Sequence, residues 1–140
     1  MKISARNVLA GTVTKVVKGA VNSEIDLTLQ GGQKMAAVIT NPSVEYLGLK
    51  EGVAACAIIK ASEVIIGKDV ASAKFSARNV LNGEVAKVED GAVNSEVVIT
   101  LAGGAQVVAS ITKASVQSLG LKMGDKVSAI IKASNVIVGV

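Results

Sequence analysis

The six residues Ser4–Leu9, SARNVL, return unchanged as Ser76–Leu81. Repeated Val and Leu need little explanation, since any core uses them. Repeated Ser, Arg and Asn do, because such side chains are mostly exposed and free to drift. The same offset holds beyond this string: GAVNSE at Gly19–Glu24 returns at Gly91–Glu96, LGLK at Leu47–Lys50 at Leu119–Lys122, and IIKAS at Ile58–Ser62 at Ile130–Ser134. Ser4–Gly67 and Ser76–Gly139 agree at 39 of 64 positions without a gap. A gapless duplication of that length predicts two copies of one small fold rather than a solenoid of short units. The copies are placed at residues 1–68 and 73–140, with KDVASAK (Lys68–Lys74) as a short polar linker between them.

Each copy reads as mostly strand. NVLAGTVTKVV and SEIDLTL are rich in Val, Ile, Leu and Thr with partial alternation. GGQ at Gly31–Gln33 and GGA at Gly103–Ala105 read as hairpin turns, because glycine adopts positive φ at little steric cost. KMAAVIT and VAACAIIKASEVIIG continue the strands. One segment differs. In TNPSVEYLGL, Thr40 or Asn41 is an N-cap candidate, Pro42 sits near the first helical position and Gly48 is a stop; TKASVQSLGL repeats the pattern from Thr112 to Leu121. The expected fold is all-β: two tandem OB-like five-stranded β-barrels, each with one short helix.

Composition narrows the function. Half of the residues are hydrophobic, nearly all aliphatic; Tyr46 and Phe75 are the only aromatics, and His and Trp are absent. A single Cys56 in an apolar run excludes a disulfide framework and a cysteine metal site, and reads as a small buried residue. The start, MKISARN, has no secretory signal pattern, and no run approaches the roughly 18 apolar residues of a membrane span. A cytoplasmic protein is expected. The net charge of +4 suits anionic ligands, and equally suits plain solubility. A barrel of this size is marginal alone. The surplus aliphatic content therefore points to a symmetric oligomer, with two tightly packed barrels in a monomer as the alternative.

Catalysis has little to work with. Without His there is no imidazole base. Lys60 with Ser62, and Lys132 with Ser134, are the one Ser–Lys spacing that could activate a nucleophile. No phosphate-binding GxxxxGK[ST] loop, CxxC, HExxH or acidic calcium loop is present. The repeated polar residues read better as an anion receptor. Arg6 and Arg78 offer planar forks of N–H donors. Ser4 and Ser76, two residues earlier, can share a strand face with them. Thr40 and Ser43, and Thr112 and Ser115, sit where a short helix begins and backbone N–H groups are free. Lys60 and Lys132 add positive charge. Each residue also has a plain structural reading: a cap for Thr40, a neighbouring-strand ion pair with Glu24 for Arg6, an exposed strand position for Lys60. GAVN, at Gly19–Asn22 and Gly91–Asn94, can converge backbone and amide N–H groups on an anion, or serve only as a strand-connecting turn.

In this order (SARN, GAVNSE, a GG turn, T-x-x-S before LGLK, then IIKAS) the residues resemble the molbindin (Mop) family of molybdate-binding proteins, in tandem form and over nearly the whole chain. The resemblance implies an OB-like barrel per copy, no enzyme activity, no cofactor, and molybdate or tungstate as ligand at domain interfaces. Carried over, the main oxyanion-binding residues are Ser4, Arg6, Thr40, Ser43, Lys60 and Ala61, with Ser76, Arg78, Thr112, Ser115, Lys132 and Ala133 in the second copy. A second oxyanion site would draw on Gly19, Ala20, Val21 and Asn22, and on Gly91, Ala92, Val93 and Asn94. Single-domain members resemble hexamers, so a tandem member implies a homotrimer. The copies leave no room for a DNA-binding or ATPase domain, so intracellular storage, buffering or homeostasis is expected, with neither nucleic acid nor membrane as partner. An OB-type nucleic-acid-binding protein is the alternative; such proteins stack bases on aromatics, and this chain has two. The main set holds no carboxylate, so hydrogen phosphate, whose proton would lack an acceptor, is expected to bind at least roughly tenfold more weakly than molybdate. Glu24 or Glu96 lining the site would undo that argument.

Overall fold

The computed structural model describes residues 1–140. The first copy supplies β1 (Asn7–Lys18), β2 (Asn22–Leu29), β3 (Lys34–Thr40), α1 (Asn41–Leu47), β4 (Ala54–Ile59) and β5 (Ile65–Gly67); the second supplies β6 (Asn79–Asp90), β7 (Asn94–Leu101), β8 (Gln106–Thr112), α2 (Lys113–Leu119), β9 (Lys126–Ile131) and β10 (Ile137–Gly139). The strands form where the sequence alternates. Along β2, Ser23, Ile25, Leu27 and Leu29 turn inward while their neighbours stay partly open. β1 and β6 are twelve residues long and serve two partners each, with the ladder broken by a bulge between Val13 and Lys15 and between Val85 and Lys87. Such a bulge bends a strand and raises its twist, which lets a long strand follow a curled sheet. Gly11 and Gly83 lie in these strands because a Cβ there would stand 2.6 Å from the carbonyl oxygen of Thr28 or Thr100 on the adjacent strand.

The helices end as their residues dictate. Thr40 is the N-cap, its hydroxyl accepting from Ser43 N–H, and Gly48 closes α1 in the left-handed conformation (φ 63°). Thr112 and Gly120 do the same for α2.

There are two antiparallel five-stranded sheets, ordered β10-β4-β1-β2-β3 and β5-β9-β6-β7-β8. Each curls so that its short edge strand, β10 or β5, returns against β3 or β8 at the other edge. The OB-like character, five strands and one helix per unit, is as the sequence predicts. The membership is not. The last strand of each copy completes the sheet of the other: β5 pairs with β9, and β10 with β4. One continuous core of 27 buried residues runs through both sheets, from Leu9 to Val138. Two further readings need correction. Lys60–Ser62 is not strand; Ala61–Glu63 and Ala133–Asn135 are single 3-10 turns that lie on β8 and β3 of the opposite copy. Cys56 is half-buried rather than buried, its thiol directed at the Gly139 carbonyl at 3.6 Å, because the edge strand β10 covers it only in part.

Candidate functional site

The repeated SARN segments lie where the copies meet. Asn7 and Asn79 are 1% and 2% exposed. Asn79 accepts from the Ala36 N–H at 2.7 Å and donates to the Ala36 carbonyl at 2.8 Å. Asn7 accepts from Val108 N–H at 2.7 Å and donates to the carbonyls of Val108 and Ile59. Each carboxamide thus stands in for a strand partner on the other copy's β3 or β8. Buried polar groups must be paired, and here the pairing ties the copies together.

Arg6, one residue earlier, extends from this junction. Ser4, Arg6, Lys60 and Ala61 line one open pocket of about 520 Å³, walled by Ile58, Ser62 and, from the second copy, Ile137. Ser4 precedes β1 and is not on a strand face. Lys60 forms no ion pair, leaving an ammonium beside the guanidinium.

Thr40 and Ser43 are not in that pocket. Their hydroxyls hydrogen-bond each other at 2.8 Å, as do those of Thr112 and Ser115. The structure instead sets them beside the turn of their own copy: Thr40 pairs with Asn22 in the ladder, Asn41 N–H donates to the Val21 carbonyl, and the Asn41 side chain donates to the Gly19 carbonyl. Asn7 sits at Val108, and Arg6 at Glu96, the ladder partner of Ser110. Asn7 and Arg6 therefore reach β8 and β7 of the second copy. Equivalently, Asn79 reaches Ala36 on β3 and Arg78 reaches Glu24 on β2 of the first copy. Ser4, Arg6, Lys60 and Ala61 of the first copy thus share one pocket, and Thr40 and Ser43 of that copy lie outside it.

Two residues outside the expected set stand on the arginines. Arg6 Nη1 is 2.6 Å from Glu96 Oε2, and Arg78 pairs with Glu24. The ion pair expected for Arg6 within its own copy, with Glu24, is made instead with Glu96 across copies. A carboxylate beside each guanidinium also removes the premise that the site holds donors only, so weak phosphate binding no longer follows from donor counting. A signal for these residues existed: Glu24 and Glu96 are the only acidic residues that the repeat retains at equivalent positions.

The turns Gly19–Asn22 and Gly91–Asn94 are exposed and alike in backbone. Gly19 N–H donates to the Asn22 carbonyl, Gly91 N–H to that of Asn94. A Cβ on either glycine would stand 2.5 or 2.4 Å from that oxygen, so only glycine fits. The surroundings differ in charge. Val17 and Lys18 precede the first turn; Glu89 and Asp90 precede the second and, with Glu96, line a pocket of about 420 Å³ over it. Asp90 accepts from the Ser95 hydroxyl at 2.8 Å.

No helix is long and apolar enough to cross a membrane. A family model described as TOBE domain matches residues 3–66 and again 76–138. Molybdenum transport protein ModE of Herbaspirillum seropedicae is 41% identical over 140 residues, covering 100% of this chain and 52% of its own length. Molybdenum-pterin-binding protein MopA of Rhodobacter capsulatus is 43% identical over 137 residues, covering 98% of this chain and 52% of its own. The chain thus spans about half the length of these relatives. A crystal structure of the cytoplasmic molybdate-binding protein ModG, with molybdate bound, is 50% identical, covers 100% of this chain and 99% of that one, and superposes with a TM-score of 0.98.

Proposed function

The chain belongs to the TOBE domain family, with the domain present twice, and from that premise we propose that it binds molybdate or tungstate as an intact oxyanion and holds it in reserve in the cytoplasm without transforming it. The observation that carries this reading is the convergence of Ser4, Arg6, Lys60 and Ala61 on one open pocket at the junction of the copies. A tetraoxo dianion carries no proton and accepts on every side. The guanidinium fork, the ammonium and the hydroxyls supply donors for it. On this reading the twelve residues named from the sequence make two composite sites, in which Ser, Arg, Lys and Ala of one copy face Thr and Ser of the other, and residues 1–68 and 73–140 are the two molbindin-like units that share them.

The assembly is a homotrimer of two-domain chains. Val8 stands opposite Ile58, and Ile58 opposite Ile137, so the three share the outer face of one sheet; Val80, Ile130 and Ile65 form the same row on the other. Val8, Ile137, Val80 and Ile65 are exposed in the single chain, each pair flanking a buried isoleucine, Ile58 or Ile130. Contiguous apolar rows of this kind mark association surfaces.

A nucleic-acid role is not favoured: Tyr46 on α1 and Phe75 just after the linker make no stacking platform. The test is metal analysis of the purified, desalted protein after incubation with molybdate or tungstate. Retention of either metal in a fixed ratio to the chain is the expected result. Loss of both on desalting, with salt-dependent binding of a single-stranded oligonucleotide, would overturn the reading.

A further inference from the structure

The chain has two arginines, and both are already engaged by a carboxylate of the opposite copy: Arg6 by Glu96, Arg78 by Glu24. Of eleven acidic residues only this equivalent pair survives in both copies. Neither glutamate is needed to satisfy the core. The Arg6 and Glu96 side chains are 51% and 39% exposed and those of Arg78 and Glu24 57% and 27%, and pairs this open to solvent contribute little to stability. Lys60 and Lys132, in the same composite sites, have no such partner. The carboxylates are thus matched specifically to the guanidinium forks.

We propose that Glu24 and Glu96 are resident counter-ions of the two oxyanion sites, which an arriving anion displaces from the arginines, and that they thereby set the charge an anion needs to enter. This rests on the oxyanion reading above. A tethered carboxylate competes at high effective concentration. A monoanion offers the guanidinium no more charge than the glutamate does and gains no entry. A dianion that also engages the lysine and the hydroxyls outcompetes it. After displacement the glutamate stays near the bound dianion and repels it, which lowers affinity.

The experiment is titration calorimetry of the intact protein with molybdate, comparing wild type with Glu24→Gln, Glu96→Gln and the double variant, each with chloride and with acetate as competitor. Glutamine keeps the shape and removes the charge. The expected result is molybdate binding tightened on the order of three- to tenfold at the altered site, with competition by chloride or acetate now measurable. Glu51→Gln removes the same charge from the turn before β4, where Gly52 bonds Val13 at the middle of β1, and is expected to leave binding unchanged. Weaker binding in the glutamine variants would show that the glutamates merely position the arginines, and unchanged binding that they are bystanders; either overturns the proposal. Failure of the wild type itself to bind molybdate or tungstate would instead sink the oxyanion reading.

Discussion

Asn79 holds Ala36 by both its N–H and its carbonyl, in a setting with no water to replace it. Asn79→Leu would keep the branched outline and leave two buried backbone groups of β3 unpaired, so a loss of at least about 2 kcal/mol is expected. Asn79→Asp would keep the acceptor and turn a carboxylate oxygen toward the Ala36 carbonyl, and is expected to be as damaging. Urea unfolding at neutral pH measures both. Arg6 and Arg78, by contrast, extend into solvent from the same junction. Arg6→Ala with Arg78→Ala should leave the unfolding midpoint almost unmoved and weaken molybdate binding by about 1.5–3 kcal/mol per site, the worth of a charge-assisted hydrogen bond. Calorimetry showing unchanged affinity in the double variant would remove the arginines from the site. The Asn and Arg of one repeated string thus differ in setting, one buried and holding the copies together, the other open and, on the proposed function, facing the oxyanion.

Two elements behave differently in the two copies. The Gly19–Asn22 turn follows Lys18, while the Gly91–Asn94 turn lies among Glu89, Asp90 and Glu96. The backbone N–H groups are the same, while Val17 and Lys18 are replaced by Glu89 and Asp90, so an anion at these turns is expected to favour the first copy. Replacing Glu89→Val and Asp90→Lys together should raise the number of molybdate ions bound per chain in equilibrium dialysis; an unchanged number would exclude the turns as sites. The segment read as a plain polar linker also does more than connect. Lys68 bonds the carbonyls of Leu119 and Gly120 at the end of α2 and pairs with Asp125 at 3.1 Å, as a cation at a helix C-terminus should. The hydrogen bond from Lys68, aided by the Lys122 backbone, holds the Asp125 carboxyl below its ordinary value of 3.8. A lowered folded-state pKa stabilises the protein above the unfolded value, and that contribution is lost as pH falls through the folded one. Lys68→Met should therefore lower the thermal midpoint at pH 7, and the gap from wild type should close as the pH is taken well below 3.8. The first copy has Val53 in place of Asp125 and no such strap.

At the scale of the molecule the exchange of β5 and β10 makes neither copy complete. Residues 1–68 alone would carry β5 without β9 and β4 without β10. Two such fragments can satisfy each other reciprocally, so this half expressed alone is expected to be at least a dimer in sedimentation. A stable monomeric half would show that the exchange is dispensable. The intact 14.1 kDa chain is expected to sediment at three times its mass, through the apolar rows at Val8–Ile137 and Val80–Ile65.

What the sequence determined by itself was local. Alternation placed β2 and β7, paired glycines placed the hairpin turns, and Thr40 and Gly48 bounded α1, because each is a matter of neighbours within a few residues. The duplication was equally legible, and with it the repeated Ser, Arg and Lys. What only the tertiary structure decided is which copy each of these serves. A 72-residue repeat makes any residue and its equivalent interchangeable to every local rule. Ile65 opposite Ile130 and Ile137 opposite Ile58 are the same pairing in pattern, and a strand folded back on its own copy would match it as well. Arg6 with Glu24 and Arg6 with Glu96 are the same ion pair on paper. The choice falls to chain geometry: the 3-10 turns after β4 and β9 carry each copy's last strand onto its neighbour, and the arginines and asparagines then find their partners there.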